Sequence, residues 1–126
     1  MHILLADDNP EIRSALSLLL RTRIGDVMIS EASAMREVWS QVAIGPLDGI
    51  ILDWDLIGKP VPEAMAALRA ILPDLRIVVI NTRPEIEKQV LAAGADAFVC
   101  KTDSPDKLLG SLYRIFPNLK VNSRPV

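Results

Sequence analysis

Two carboxylates separated by a tryptophan close the run of Ile50, Ile51 and Leu52 in the stretch "GIILDWDLIG", residues 49 to 58. Asp53 and Asp55 are those acids, and a second pair, Asp7 and Asp8, closes the earlier apolar run in "HILLADD". Asn81 and Thr82 follow another apolar run, and Lys101 follows the last one. Carboxylates gathered at one place repel, and one of them tends to hold its proton at neutral pH. A hard divalent cation removes that penalty. Mg²⁺ prefers oxygen ligands, takes one or two carboxylates, and completes its shell with water, carbonyls and phosphate. A lysine adds a point charge suited to a carboxylate or phosphoryl oxygen. Metal, carboxylate, lysine and a hydrogen-bonding side chain together suit phosphoryl transfer, with a carboxylate as nucleophile and an aspartyl phosphate as product. Taken singly, each residue has a plainer reading. Acids before a helix favour its N-terminus, asparagine favours turns, and a lysine after an edge strand is ordinarily solvated.

Whether these residues meet depends on the elements that carry them. Short apolar runs at residues 3–6, 27–29, 50–52, 77–80 and 97–100 read as strands. The segments between them have helical spacing. Ile12, Leu16, Leu19 and Leu20 share one face, with Glu11, Arg13, Ser14 and Ser17 pointing away. Weaker stripes run through Met35, Val38 and Val42, and through Met65, Leu68, Ile71 and Leu72. Ile86, Val90 and Leu91 form the fourth, and Leu108, Leu112, Ile115 and Phe116 the fifth. Asn9-Pro10-Glu11 supplies a cap and a first-turn proline, Ser33 a second cap, and Thr82-Arg83-Pro84-Glu85 and Ser104-Pro105-Asp106 repeat the device. Gly94 suits a left-handed helix stop.

Five β–α pairs in alternation imply an α/β fold: one doubly wound (βα)5 domain with helices on both faces of a parallel sheet. The common order for five strands is 2-1-3-4-5, with ligands beyond the carboxyl ends near the switch point. Strands one and three are then neighbours, so Asp7, Asp8 and Asp53 share one crevice, and Lys101 arrives with Asn81 or Thr82 from the other side. Asp53 ends a central strand and is the best placed nucleophile. The domain is expected over residues 1–116, with 117–126 as a tail or the start of a linker.

Composition closes off other classes. The 126 residues carry a net charge of −2 with mixed signs, which gives no basic stripe for nucleic acid and no polybasic membrane patch. Half the residues are hydrophobic and only 4% aromatic, so the core must be aliphatic. The lone cysteine, Cys100, excludes an internal disulfide, and with one histidine, His2, makes no usual zinc site. No apolar run approaches the ~20 residues of a spanning helix. The start "MHILLADD" lacks the charged lead of a signal peptide. A cytoplasmic location is expected. His2 is read as a frayed start far from the crevice.

At "LLADDNPEIR", "GIILDWDL", "RIVVINTRPE" and "AGADAFVCKTDSPDKLL" the chain resembles the receiver domain of two-component response regulators, over about residues 2 to 116. The resemblance implies that Asp53 accepts a phosphoryl group from a sensor histidine kinase or a small phosphodonor. It implies Mg²⁺ on Asp8, Asp53 and the backbone carbonyl of Asp55, with Asp7 holding a metal-bound water, Lys101 on the phosphoryl group and Phe98 as a switching aromatic. Such a domain promotes only its own phosphorylation and dephosphorylation and is not otherwise an enzyme. Its output would be the face of the fourth helix, fifth strand and fifth helix, used for dimerisation or partner binding. The "KTDSPDKLL" end resembles regulators with a helix-turn-helix output, which this sequence lacks.

Three departures stand out. The family's Ser or Thr after strand four is Asn81 here, whose amide still offers an N–H donor. Thr82 replaces it only if the strand end slips. Thr102 follows Lys101 where the family has a cis proline; a cis bond before a non-proline costs ~2.5–4 kcal/mol, so a trans or strained peptide is expected. The loop "LIGKPVPEA" lacks the usual Pro and Asp-Gly and is expected to differ in shape. These departures keep open an interaction module without phosphotransfer. "LDWDLIG" also resembles the nucleophile motif of haloacid-dehalogenase-type phosphatases, but the order of acid pair and lysine is reversed and Ile57 stands where Thr or Val is usual.

Overall fold

The computed structural model describes residues 1–58 and 60–122. Five strands, β1 (His2–Ala6), β2 (Met28–Ala32), β3 (Gly49–Asp53), β4 (Arg76–Asn81) and β5 (Ala97–Cys100), form one parallel sheet in the order β2-β1-β3-β4-β5. The helices are α1 (Pro10–Arg23), α2 (Met35–Ile44), α3 (Trp54–Ile57), α4 (Val61–Ile71), α5 (Glu87–Ala92) and α6 (Pro105–Ile115), with a 3₁₀ turn Pro84–Ile86 leading into α5. This is the doubly wound arrangement that the alternation implies. The one-turn α3 is an addition to it.

Strand alternation divides the core in two. Leu4, Ala6, Ile50, Leu52, Ile77 and Val79 face α2, α4 and α5, meeting Val38, Val42, Met65, Leu68 and Val90. Ile3, Leu5, Ile51, Val78, Ile80, Ala97 and Val99 face the other way, toward Leu20 of α1 and Leu108, Leu109 and Leu112 of α6. β3 is buried throughout, as a central parallel strand must be.

Several local expectations need correction. Ser17 is buried, while Leu18 is 70% exposed. The buried line of α1 runs through Ser17 and Leu20 to Ile24 at i, i+3 and i+7, and Arg13 lies on the same line. Ser33 does not cap α2. Ala34 holds that position without a side-chain bond, and Ser33 donates instead to Glu37 Oε1. Ser104 precedes α6 but makes no cap bond, whereas Asn9 Oδ1 accepts from Glu11 N and Ile12 N as expected. Gly94, at φ 108, is the left-handed stop after α5. His2 is not frayed: it begins β1, with Nε2 2.6 Å from Ser30 Oγ and Nδ1 3.1 Å from the Pro46 carbonyl.

Residues 119–122 lie against the end of α1. Gly25 N donates to Lys120 O at 2.9 Å, Asn122 N to Arg23 O at 3.0 Å, and Ile24 bridges Val121 antiparallel. Residues 123–126 of the expected tail lie outside the described residues.

Gly49 starts β3 against the ring of Phe116, and a Cβ added there would lie 2.8 Å from Phe116 Cζ. Gly49→Ala is therefore expected to destabilise the fold by about 1–2 kcal/mol, the usual scale for overpacking a core. Denaturant titration would read this, and the loss should shrink in a Phe116→Leu background. An equal loss in both backgrounds would mean that the ring is not what the methyl group meets.

Candidate functional site

Three side chains come together because strand alternation continues past the strand ends. Asp7 follows Ile3 and Leu5, Asp53 follows Ile51, and Lys101 follows Ala97 and Val99, all on the α1–α6 side of the sheet. Ala6 lies level with Leu52, so Asp7 and Asp53, one residue further on, are side by side. Lys101 emerges beyond β5, where its N–H donates to Asn81 O at 2.8 Å, and its stem reaches back across β4. Its Nζ lies 2.7 Å from Asp7 Oδ2 and 3.3 Å from Asp53 Oδ2. Asp7 is 1% exposed and Asp53 4%.

Asp8 is exposed at the rim, and Asp7, Asp8 and Asp53 each offer a carboxylate oxygen within 4.8 Å of the others. Asp7 Oδ1 accepts from Asn9 N at 2.9 Å. Asp7 Oδ2 is buried without an aligned hydrogen-bond donor, the lysine ammonium being close but off axis. Three carboxylate oxygens so close together, in a crevice where Asp7 Oδ2 has no hydrogen-bond donor, fit a small divalent cation with oxygen preference.

Burial pushes the Asp53 carboxyl above its ordinary range; Lys101 pulls it back and Asp7 adds to the rise. For Lys101, burial alone acts to lower the ammonium, but its contact with Asp7 and the charges of Asp53 and Asp7 outweigh this and hold it above the ordinary value.

Asn81 ends β4 and is buried. Its Nδ2 donates to Asp53 Oδ1 at 3.4 Å and to Asp55 Oδ2 at 3.1 Å. Thr82 does not take its place. The strand end does not slip, and the single-residue step turns Thr82 outward to solvent, where its carbonyl accepts from Cys100 Sγ at 3.5 Å. Asp55 is exposed in α3, with its backbone N donating to Asp53 Oδ1 at 3.3 Å. Phe98 is half-buried on β5, level with Val79 and packed on the α2–α4–α5 side of the core, away from the carboxylates. The Lys101–Thr102 peptide is trans; among the described residues the cis bond is Gly45–Pro46.

Two arginines at the rim were not singled out from the sequence as site residues. Arg13 donates through Nη1 to the Asp7 carbonyl at 2.6 Å and pairs with Glu31 through Nε at 3.0 Å. Arg83 pairs with Asp55 Oδ1 at 3.0 Å and donates through Nε to Asn81 Oδ1 at 3.2 Å. Arg13 sits one turn along the line of Ser17 and Leu20, which marks an inward position. Nothing in the spacing marks Arg83 beyond its place two residues after Asn81.

Among the described residues no helix is long and apolar enough to cross a membrane. The sequence pattern that defines the response regulator receiver domain matches residues 3–113. The chain is 33% identical over 117 residues to the transcriptional activator protein ExaE of Pseudomonas putida, which covers 91% of this chain and 55% of that protein. It therefore spans about half the length of this curated relative. The chemotaxis response regulator CheY4 of Vibrio cholerae superposes with a TM-score of 0.77 at 25% identity, covering 91% of this chain and 98% of that one. The response regulator TrrA of Thermotoga maritima, in complex with Mg²⁺-BeF, superposes with a TM-score of 0.78 at 24% identity over 91% of this chain and 98% of its own. The matched pattern spans nearly every element that carries the acidic crevice, and the chain belongs to the response regulator receiver domain family of two-component systems.

Proposed function

We propose that residues 1–116 act as a phosphoacceptor: Asp53 takes a phosphoryl group in a Mg²⁺-dependent step, and this shifts a protein-binding surface. The observation that carries the reading is the cluster itself, with Asp7, Asp8 and Asp53 within 4.8 Å and the Lys101 ammonium bridging Asp7 and Asp53. Asp7, Asp8, Asp53 and the Asp55 backbone carbonyl would hold the ion, which supplies positive charge against the charge that develops on the transferred group.

The residues of the chain do the rest. A carboxylate oxygen of Asp53 attacks phosphorus in line. The new O–P bond forms as the bond to the donor breaks, and the donor's imidazole nitrogen or acyl oxygen keeps the electron pair. Lys101, held by Asp7, faces the reacting carboxylate and neutralises an equatorial oxygen. Asn81 supplies an N–H from the opposite side. The donor would be a sensor histidine kinase or a small phosphodonor such as acetyl phosphate.

Phosphorylation adds roughly −1.5 to −2 charges and favours a conformer already present in the resting ensemble. The face formed by α5, β5 and α6 would carry the output, as a homodimer contact or a partner site, with Phe98 as its switching aromatic. It holds a hollow of about 600 Å³ lined by Phe98 together with Glu87, Lys107 and Arg114. ExaE is named a transcriptional activator and is about twice as long as the match, which supports the reading of this unit as the input of a longer regulator.

Incubation with acetyl phosphate is expected to add the mass of one phosphoryl group in Mg²⁺ and none in excess EDTA. Beryllofluoride is expected to change the fluorescence of Trp54, which follows Asp53 directly. No adduct and no fluorescence change would leave a protein-contact module without phosphotransfer. Repeated release of phosphate from unrelated monoesters would point to a phosphatase instead.

A further inference from the structure

The hydrogen bonds around Asn81 are complete. Both N–H bonds of Nδ2 are used, on Asp53 Oδ1 at 3.4 Å and Asp55 Oδ2 at 3.1 Å. Both lone pairs of Oδ1 are used, by Arg83 N at 3.1 Å and Arg83 Nε at 3.2 Å. Arg83 Nη2 then closes the ring on Asp55 Oδ1 at 3.0 Å. Only one orientation of the amide satisfies this arrangement. Turned over, it would set its oxygen against two carboxylates and its N–H bonds against two N–H donors. A hydroxyl at this position reorients by rotating about one bond, and needs no such holder. An amide has distinct ends, and which end faces Asp53 depends on what grips the other.

We infer that Arg83 is a positioning residue for phosphoryl transfer, acting through Asn81: it clasps Asn81 Oδ1 and Asp55 so that an amide N–H stays on Asp53. This rests on the phosphoacceptor reading above and adds a second group to it. The contact at 3.4 Å is near the limit of a useful hydrogen bond, so a small rotation of the amide breaks it. The backbone N–H of Arg83 remains in any variant with a side chain change, so the side chain contributes a part of the grip and the expected effect is moderate. Stability is not what the clasp supplies. The Arg83 and Asp55 side chains are 48% and 64% exposed, and ion pairs so exposed contribute little.

The test is the rate of labelling by acetyl phosphate in saturating Mg²⁺, followed by intact mass across a series of donor concentrations. Arg83→Ala is expected to lower the maximal rate roughly three- to ten-fold, the lower part of the range of coupling between residues of one network. The half-saturating donor concentration and the melting midpoint should stay near the wild-type values. Arg83→Lys, which keeps the charge but loses the fork that grips oxygen and carboxylate together, should rescue little. In an Asn81→Thr background, where a hydroxyl has no second end to control, Arg83→Ala should change the rate less than about two-fold. The same loss in both backgrounds would overturn the inference and make Arg83 a direct electrostatic or loop-packing residue. So would a labelled wild-type protein with an Arg83→Ala rate equal to it. A wild-type protein that takes no label at all would overturn the phosphoacceptor reading as well.

Discussion

Asp53→Asn is expected to abolish labelling by acetyl phosphate while raising stability. An amide oxygen is a far weaker nucleophile than a carboxylate, and neither Asp7 nor Asp8 stands at the centre of the Lys101 and Asn81 donors. The stability gain follows from what the carboxylate meets. Burial is the main cause of its raised pKa, and the Asp7 charge adds to it while Lys101 only partly compensates. A carboxyl raised on folding stabilises the native state fully while it is protonated, below its ordinary range. That contribution is lost as pH rises through the raised value. In metal-free buffer the variant should therefore exceed the wild type at neutral pH, and the two should converge as pH falls below about 4. Asparagine also keeps an oxygen for the Asp55 N–H. Intact mass reads the first effect and thermal unfolding across pH the second. Normal labelling of the variant would mean that the nucleophile is another residue.

Lys101→Ala is expected to be the change at the site that costs the most stability. Its ammonium is the cation that neutralises both buried carboxylates, at 2.7 and 3.3 Å. Its removal leaves two buried anions side by side, and breaking a buried pair in this way costs on the order of 3 kcal/mol. Labelling should fall on the order of a hundred-fold, the loss seen when one preorganised electrostatic donor is deleted. The signs with pH are opposite to those of Asp53→Asn. The pKa of Lys101 is raised by Asp7 and Asp53 against the effect of burial, so the pairing is present below the ordinary lysine value and is lost only as pH rises through the raised one. The stability cost should be level through neutral and mildly alkaline pH. It should shrink in acid, where Asp53, its carboxyl raised by burial, takes up a proton. Mg²⁺ should restore part of the stability, by replacing the missing positive charge, without restoring the rate. A variant with wild-type stability in EDTA would show that the two carboxylates do not depend on the lysine.

Why the layout was legible in the sequence, and the clasp was not, has a physical basis. Alternation implies a parallel sheet, 2-1-3-4-5 is the common order for five strands, and that order sets Asp7 beside Asp53 without knowledge of any side-chain contact. Lys101 was legible for the same reason, since it continues the parity of Ala97 and Val99. Ser17 misled because polarity was read as exposure, whereas its place on the line from Arg13 to Leu20 decides its burial. Ser33 misled because a hydroxyl one residue before the cap prefers Glu37 to the backbone. Thr82 was a candidate only on a slipped strand end, and the register shows no slip, with Asn81 the last residue paired with β5. Arg83 was legible only as part of the start of the fourth helix. Its partners, Asp55 of α3 and Asn81 at the end of β4, come from different elements, and no periodicity links a loop cation to an acid 28 residues away.

The stretch that returns to the end of α1 has a practical consequence for assays. The bridge of Val121 to Ile24 holds the C-terminal part of the described chain near the start of β2, at the pole of the sheet opposite the acids. Five residues of strand, roughly 17 Å, separate the two ends. A dye, a biotin or a sensor-chip linker joined at residue 121 is thus kept clear of the acidic mouth. Immobilised protein should exchange donor, magnesium and beryllofluoride as freely as protein in solution.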